Sequence, residues 1–242
     1  MSKKNVFKKC AAVLGLVTLA AGMAFATSAS APAVSPDEAL QKLMEGNQRY
    51  VENQMTGSKL CDLSTRSSLA KSQHPYAIVL TCSDSRVPPE IIFDKGLGEI
   101  FVIRVAGNVP DPIVLGSIEY AAEHLGSPLV MVLGHERCGA VKATVDAKGK
   151  STGSRNIDAI VKGVAPAVKT AVRDCQVCKD DKKCADTRKD DFVECVVDAN
   201  AKNVAASLTK KSRILSHLLH EKKIRIVAAK YDLDDGKVTL FK

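Results

Sequence analysis

The chain has 242 residues, 45% of them hydrophobic and 26% charged, with 35 basic against 27 acidic side chains for a formal charge of +8. Aromatic residues make up only 4% and Trp is absent, which leaves little to stack nucleobases and argues against a nucleic-acid partner. With no internal repeat or low-complexity block, the sequence favours one globular domain with a sizeable core.

The first residues read as an export signal. Lys3, Lys4, Lys8 and Lys9 form a basic start, Ala11 to Phe25 is an apolar run, and Ala24-Phe25-Ala26 supplies the small-x-small pattern of a signal peptidase site. The run is shorter than the roughly 20 residues that a membrane span needs. Cys10 follows Phe7-Lys8-Lys9, which excludes a lipoprotein signal. Cleavage after residue 26 removes four lysines and no acid, so the formal charge drops from +8 to +4. The expected product is periplasmic or extracellular, with no membrane attachment. A Ser/Ala-rich linker over 27–34 then precedes a single domain over 35–242.

Ser35-Pro36-Asp37-Glu38 is a helix start, with Ser35 as N-cap, Pro36 at the first helical position and acids in the first turn. Ala39, Leu40, Leu43 and Met44 follow at helical spacing. Tyr76 to Cys82 is a continuous apolar run, the pattern of a buried parallel strand. Ile100 to Val105 is a second such run. Ile113 to Leu125 reads as a helix stopped by Gly126. Pro128 to Leu133 is a third strand ending at Gly134, Ile224 to Ala229 a fourth, and Lys237 to Phe241 a short alternating edge strand. Strands alternating with helices predict an α/β fold with a mostly parallel sheet flanked by helices. In such sheets, sites gather at the carboxyl ends of the strands.

Two clusters fall at such ends. Cys82-Ser83-Asp84-Ser85-Arg86 follows the first strand, and His135-Glu136-Arg137-Cys138-Gly139 follows the third. Two thiolates and one imidazole suit tetrahedral Zn²⁺, and three protein ligands leave a fourth position open, as in catalytic zinc sites. Zinc lowers the pKa of its bound water to about 7 and so makes a hydroxide nucleophile at neutral pH. On spacing alone a second reading stands beside this one. In an exported protein, Cys82 and Cys138 can equally form a disulfide.

Cys82-Ser-Asp-Ser-Arg-Val87, Arg104-Val-Ala-Gly-Asn108, Ser117-Ile-Glu-Tyr-Ala-Ala122 and Gly134-His-Glu-Arg-Cys-Gly-Ala140 together resemble the signatures of the β-class carbonic anhydrases. The similarity runs from about Ala39 to Ala143 and resumes weakly near Ile224. The resemblance implies zinc-dependent interconversion of carbon dioxide and bicarbonate by zinc-hydroxide attack, in a homodimer or homotetramer with active sites at a dimer interface. It makes Cys82, His135 and Cys138 the zinc ligands and Asp84 and Arg86 a catalytic dyad. Within that dyad, Asp84 has two possible positions: paired with Arg86, or as a fourth zinc ligand in a closed state. Gln73 matches a substrate-binding glutamine. Phe101, Ala106 and Tyr120 match pocket-wall positions, and Gly107 is expected to allow close backbone approach near the pocket. Val79 stands where the bicarbonate-inhibited branch of the family has Trp, which implies the plant-like, open subtype. Hydrolysis of carbonyl sulfide or carbon disulfide on the same scaffold is the competing chemistry, and a non-catalytic zinc-stabilised interaction module the competing class.

A cysteine-rich insert over about 173–195 has no family counterpart. Two disulfides among Cys175, Cys178, Cys184 and Cys195 are the leading reading, with a four-thiolate structural zinc site as the other. The insert is expected to decorate the surface. Cys61 is left over, either buried or intermolecular. His124 is expected to favour a helix C-terminus, His217 and His220 to lie on a helix, and His74 to be an ordinary residue, with a proton relay near Gln73 as its other reading.

Overall fold

A computed structural model describes residues 34–57, 61–178 and 184–242. The export signal expected over 1–26 and the linker expected over 27–34 lie, up to residue 33, outside the described residues. Among those described, no helix is long and apolar enough to cross a membrane.

Helix α1 (Pro36–Val51) starts where the sequence places it. Ser35 Oγ accepts the Glu38 N–H, and the Glu38 carboxylate accepts the Ser35 N–H in return, a reciprocal capping box. Then follow α2 (Leu63–Ser68), β1 (Ala77–Thr81), α3 (Pro89–Ile92), β2 (Ile100–Arg104), a tight helical turn at Ala106–Asn108, α4 (Pro112–Glu123) and β3 (Leu129–His135). The remainder comprises α5 (Gly139–Ala147), α6 (Arg155–Asp174), α7 (Cys184–Thr187), α8 (Lys189–Lys211), α9 (Arg213–His220), β4 (Arg225–Tyr231) and β5 (Val238–Leu240).

The strands form one sheet in the order β2-β1-β3-β4-β5, parallel except for the antiparallel edge strand β5. The period-2 alternation of side chains splits the core in two. Val79, Met131 and Leu133 face one cluster, shared with Ala39 and Leu43 of α1, Val141 of α5 and Val164 of α6. Ile78, Leu80, Val130 and Val132 face the other, shared with Val114 and Ile118 of α4 and Leu215 of α9. Helix α8 serves both, with Val196 and Val197 in the first cluster and Val204 and Leu208 in the second.

Two sequence expectations change here. The run at 100–104 is only half-buried and ends on exposed Arg104, because β2 has a neighbour on one side alone. Nor does the insert merely decorate the surface: Cys184 at 3% exposure and Phe192 at 3% belong to the first core cluster, and residues 189–195 are the opening turns of α8. Cys175 pairs with Cys195 in a disulfide, and Cys184 is disulfide-bonded as well. These bonds overturn the four-thiolate zinc alternative, since oxidised sulfur cannot ligate as thiolate. The Cys178 side chain lies outside the described residues. Cys61 is exposed rather than buried.

Candidate metal centre

The sheet register brings the two predicted clusters level. Thr81 of β1 is paired with Leu133 of β3, so Cys82 leaves its strand beside Gly134, one residue before His135. The Leu133 carbonyl accepts from Thr81 Oγ1 at 2.9 Å and from Asn108 Nδ2 at 2.8 Å. One acceptor thus ties three chain segments together just below the site. Asn200 of α8 donates to the Gly107 carbonyl at 2.8 Å, so the 106–108 turn is held from both sides.

Candidate ligand atoms of Cys82, His135 and Cys138 all lie within 4.8 Å of one another, and all three residues are buried. There is no disulfide between Cys82 and Cys138. The imidazole decides what the cluster suits. His135 Nδ1 lies 2.8 Å from the Glu136 carbonyl, which can only accept, so Nδ1 carries the proton. Nε2 is therefore a bare lone pair, and it is buried without a hydrogen-bond partner. An orphaned acceptor of that kind costs about 1–3 kcal/mol unless something occupies it. Facing two thiols, it has the donor set of a metal site, with the backbone carbonyl as the outer partner that orients the ring.

The thiols are prepared for this. A hydrogen bond from Cys138 pulls the Cys82 thiol down to about 4, against the opposing effect of burial, with further help from the Gly107 and Asp84 backbone. The same contact, burial and the charge on Cys82 push Cys138 up. We read the two shifts as one proton shared by the pair.

At the rim, Asp84 is gripped by Arg86. Its Oδ1 accepts from Arg86 Nε at 2.9 Å and from the Arg86 N–H at 3.0 Å, and its Oδ2 accepts from Nη2 at 2.8 Å. This pairing holds the carboxyl far below its ordinary range, against a smaller effect of burial. Asp84 Oδ2 also stands 4.0 Å from His135 Nε2, so the ionised carboxylate overlooks the ligand cluster. Arg104 Nε donates to the Cys82 carbonyl at 3.0 Å and fixes the exit of β1.

The carbonic anhydrase family profile matches residues 77–238. Carbonic anhydrase 2 of Mycobacterium tuberculosis is 38% identical over 210 residues, 86% of this chain and 94% of that protein. The chain belongs to the β-class carbonic anhydrase family. It is an enzyme of that family, with the family's sheet. A Coccomyxa β-carbonic anhydrase in complex with acetazolamide superposes with a TM-score of 0.62 at 25% identity, over 84% of this chain and 86% of that one. A tetrameric β-carbonic anhydrase of Sordaria macrospora gives 0.62 at 17% identity, covering 84% and 97%. At that identity the likeness speaks for the fold alone.

The remaining predicted residues divide. Ala106 and Gly107 lie at the metal end of β2. Gly107 has φ +69°, and an added Cβ would come within 2.9 Å of Val164 Cγ2 and 3.2 Å of Ala140 Cβ. The close approach it permits is therefore to α6 and α5, while its N–H serves Cys82. Gln73, Phe101 and Tyr120 are not brought to the cluster. Phe101 pairs in register with Ile78, four residues or about 13 Å back along the sheet from Cys82, and packs on the opposite core. Tyr120 on α4 is 48% exposed with its ring 6.5 Å from that of Phe101. Gln73 is exposed ahead of β1, at the end away from the Cys82, His135 and Cys138 cluster. Among the ordinary histidines, His124 caps the C-terminus of α4, and His217 and His220 lie in the last turn of α9. Sequence reasoning gave no role to Arg104, Asn108 or Asn200, although the first two stand inside a segment that resembled the family.

Proposed function

We propose that the chain catalyses the reversible hydration of carbon dioxide to bicarbonate and a proton, with Zn²⁺ held by Cys82, His135 and Cys138. The observation that carries the metal is the buried, unpartnered His135 Nε2 facing two thiols. Zinc, when bound there, supplies Lewis acidity that activates water near neutral pH. The chain's own residues do the rest. His135 Nδ1–H, anchored on the Glu136 carbonyl, keeps the imidazole in the ligating tautomer. Arg86 keeps Asp84 ionised, and the carboxylate orients the nucleophilic water by accepting its hydrogen bond. The proton released passes to solvent buffer.

The Asp84–Arg86 grip favours the open subtype, with Asp84 beside the centre rather than a ligand in it. The separation of Gln73, Phe101 and Tyr120 from their own chain's metal end favours a homodimer or a dimer of dimers, in which a second copy brings them to the pocket. Exposed Tyr120 and the 79% exposed Ile113 on α4, beside the open edge of β2, suit such a contact. The leader sequence and the disulfides favour work outside the cytoplasm.

Stopped-flow measurement of carbon dioxide hydration by the purified protein, with zinc analysis, tests the proposal. Cys82→Ser is expected to lose zinc and activity together. Asp84→Asn should keep zinc and lose about 10²-fold in kcat/KM. Zinc-loaded protein inactive at roughly pH 8.5, well above the pKa of activated water, would overturn it.

A further inference from the structure

The two ligands His135 and Cys138 are joined by only Glu136 and Arg137, and this bridge is bent. Arg137 has φ +50°, a left-handed backbone that is unfavourable for a residue bearing a Cβ. Such a conformation persists where its surroundings hold it.

We infer that Glu194 on α8 is a positioning residue of the metal centre, its carboxylate fixing the peptide of Arg137 and thereby the spacing of His135 and Cys138. Glu194 Oε1 accepts the Arg137 N–H at 2.7 Å. Its other oxygen forms an ion pair with Lys230 Nζ of β4 at 2.8 Å, and Lys230 also lies 3.1 Å from Asp198 of α8. Lys230 is level with Gly134 in the sheet, so the carboxylate is referenced to the strand that delivers His135. This ion pair is better sheltered than most on the protein, with side-chain exposures of 29% and 19%. The next residue, Cys195, is tied by its disulfide to Cys175 at the end of α6, which holds the first turns of α8 in place. The Arg137 guanidinium adds a bidentate grip on Asp234 at 2.9 and 3.0 Å, but those side chains are 51% and 75% exposed, where ion pairs contribute little. Rotating the Arg137 peptide would move both neighbouring ligands, so a group that fixes this N–H acts on the metal without touching it.

The inference rests on Cys82, His135 and Cys138 being metal ligands. Wild-type protein, Glu194→Ala and Glu194→Gln, each loaded with zinc or cobalt(II), separate the two claims. Glu194→Ala should release zinc to a chromophoric chelator about tenfold faster, the usual scale for losing an outer-shell partner, and shift the thiolate–cobalt absorption bands. Glu194→Gln keeps an acceptor oxygen for the Arg137 N–H and should restore the wild-type bands and a near-wild-type release rate. An alanine variant with wild-type bands and release, or a glutamine variant as fast as alanine, overturns the inference while leaving the metal assignment standing. Wild-type protein that takes up neither metal sinks both. Should Glu194→Ala not fold, hydrogen exchange of the Arg137 amide in wild type decides. Protection in zinc-free and zinc-loaded protein is expected, and free exchange in the folded zinc-free protein overturns the inference.

Discussion

The strand-end cysteines and the helical-insert cysteines make opposite use of one side chain. Cys82 and Cys138 are buried, reduced and grouped with an imidazole whose free nitrogen has no other partner. Cys175 and Cys195, at the end of α6 and the start of α8, are joined covalently with Cα atoms 5.7 Å apart. In the first region the sheet fixes the thiols around a third donor, and the hydrogen bonds of Gly107 and Asp84 stabilise charge on sulfur. In the second, two helix ends meet with no imidazole between them. Position in the fold, rather than cysteine spacing, separates a reduced pair beside an imidazole from a cross-link.

The comparison can be broken most severely at the first region. Cys138→Ser should lower metal content from one ion per chain to near zero while the disulfides stay intact, read by elemental analysis and by mass with and without reductant. The converse change, Cys175→Ala with Cys195→Ala, should cost about 3 kcal/mol in urea unfolding, the scale for closing a loop of this length, and leave metal stoichiometry unchanged. If that pair loses its metal as completely as Cys138→Ser, the two regions are not separate in function.

A smaller effect comes from a site outside both regions. Buried Asp94 accepts from Arg49 Nε, the Thr56 N–H and the Gly57 N–H. Burial pushes its carboxyl up, but these donors together hold it below its ordinary range. The folded-state value is depressed, so the stabilisation is complete above the unfolded carboxyl pKa of about 3.9 and is lost as pH falls below it. Asp94→Asn should cost about 2 kcal/mol at neutral pH and flatten the acid limb of the stability curve, measured by urea titration from pH 7 down to about 3. Least of all, Cys61→Ser should change stability by under about 0.5 kcal/mol, because that thiol is exposed and free within the chain. A larger change would show a third use for cysteine in this chain.

Much of the site was legible before the fold. Ser35, Pro36 and Glu38 announce α1 because capping is local chemistry. The apolar runs of β1 and β3 announce strands because burial on both faces demands continuous hydrophobicity. The chemistry of Cys82, His135 and Cys138 is visible as donor types at strand ends. Phe101 and Tyr120 were read through a resemblance, which carries no information on which end of a strand, or which copy of the chain, a side chain serves. Glu194 left no local signal at all, since an acid near a helix start is ordinary there. It becomes notable only when Arg137, 57 residues earlier, turns its N–H towards it.

By itself, then, the sequence determined the elements, the sheet class and the donor set, all of which depend on neighbours within a few residues. Tertiary structure decided the rest. The parallel register set Cys82 beside His135, and the single neighbour of β2 made it an exposed edge. The meeting of α6 and α8 chose disulfides over a second metal. The Arg86 grip held Asp84 at the rim of the Cys82, His135 and Cys138 cluster. Each depends on groups brought together across the chain, where distances of a few ångströms decide between a thiolate, a cross-link and an ion pair.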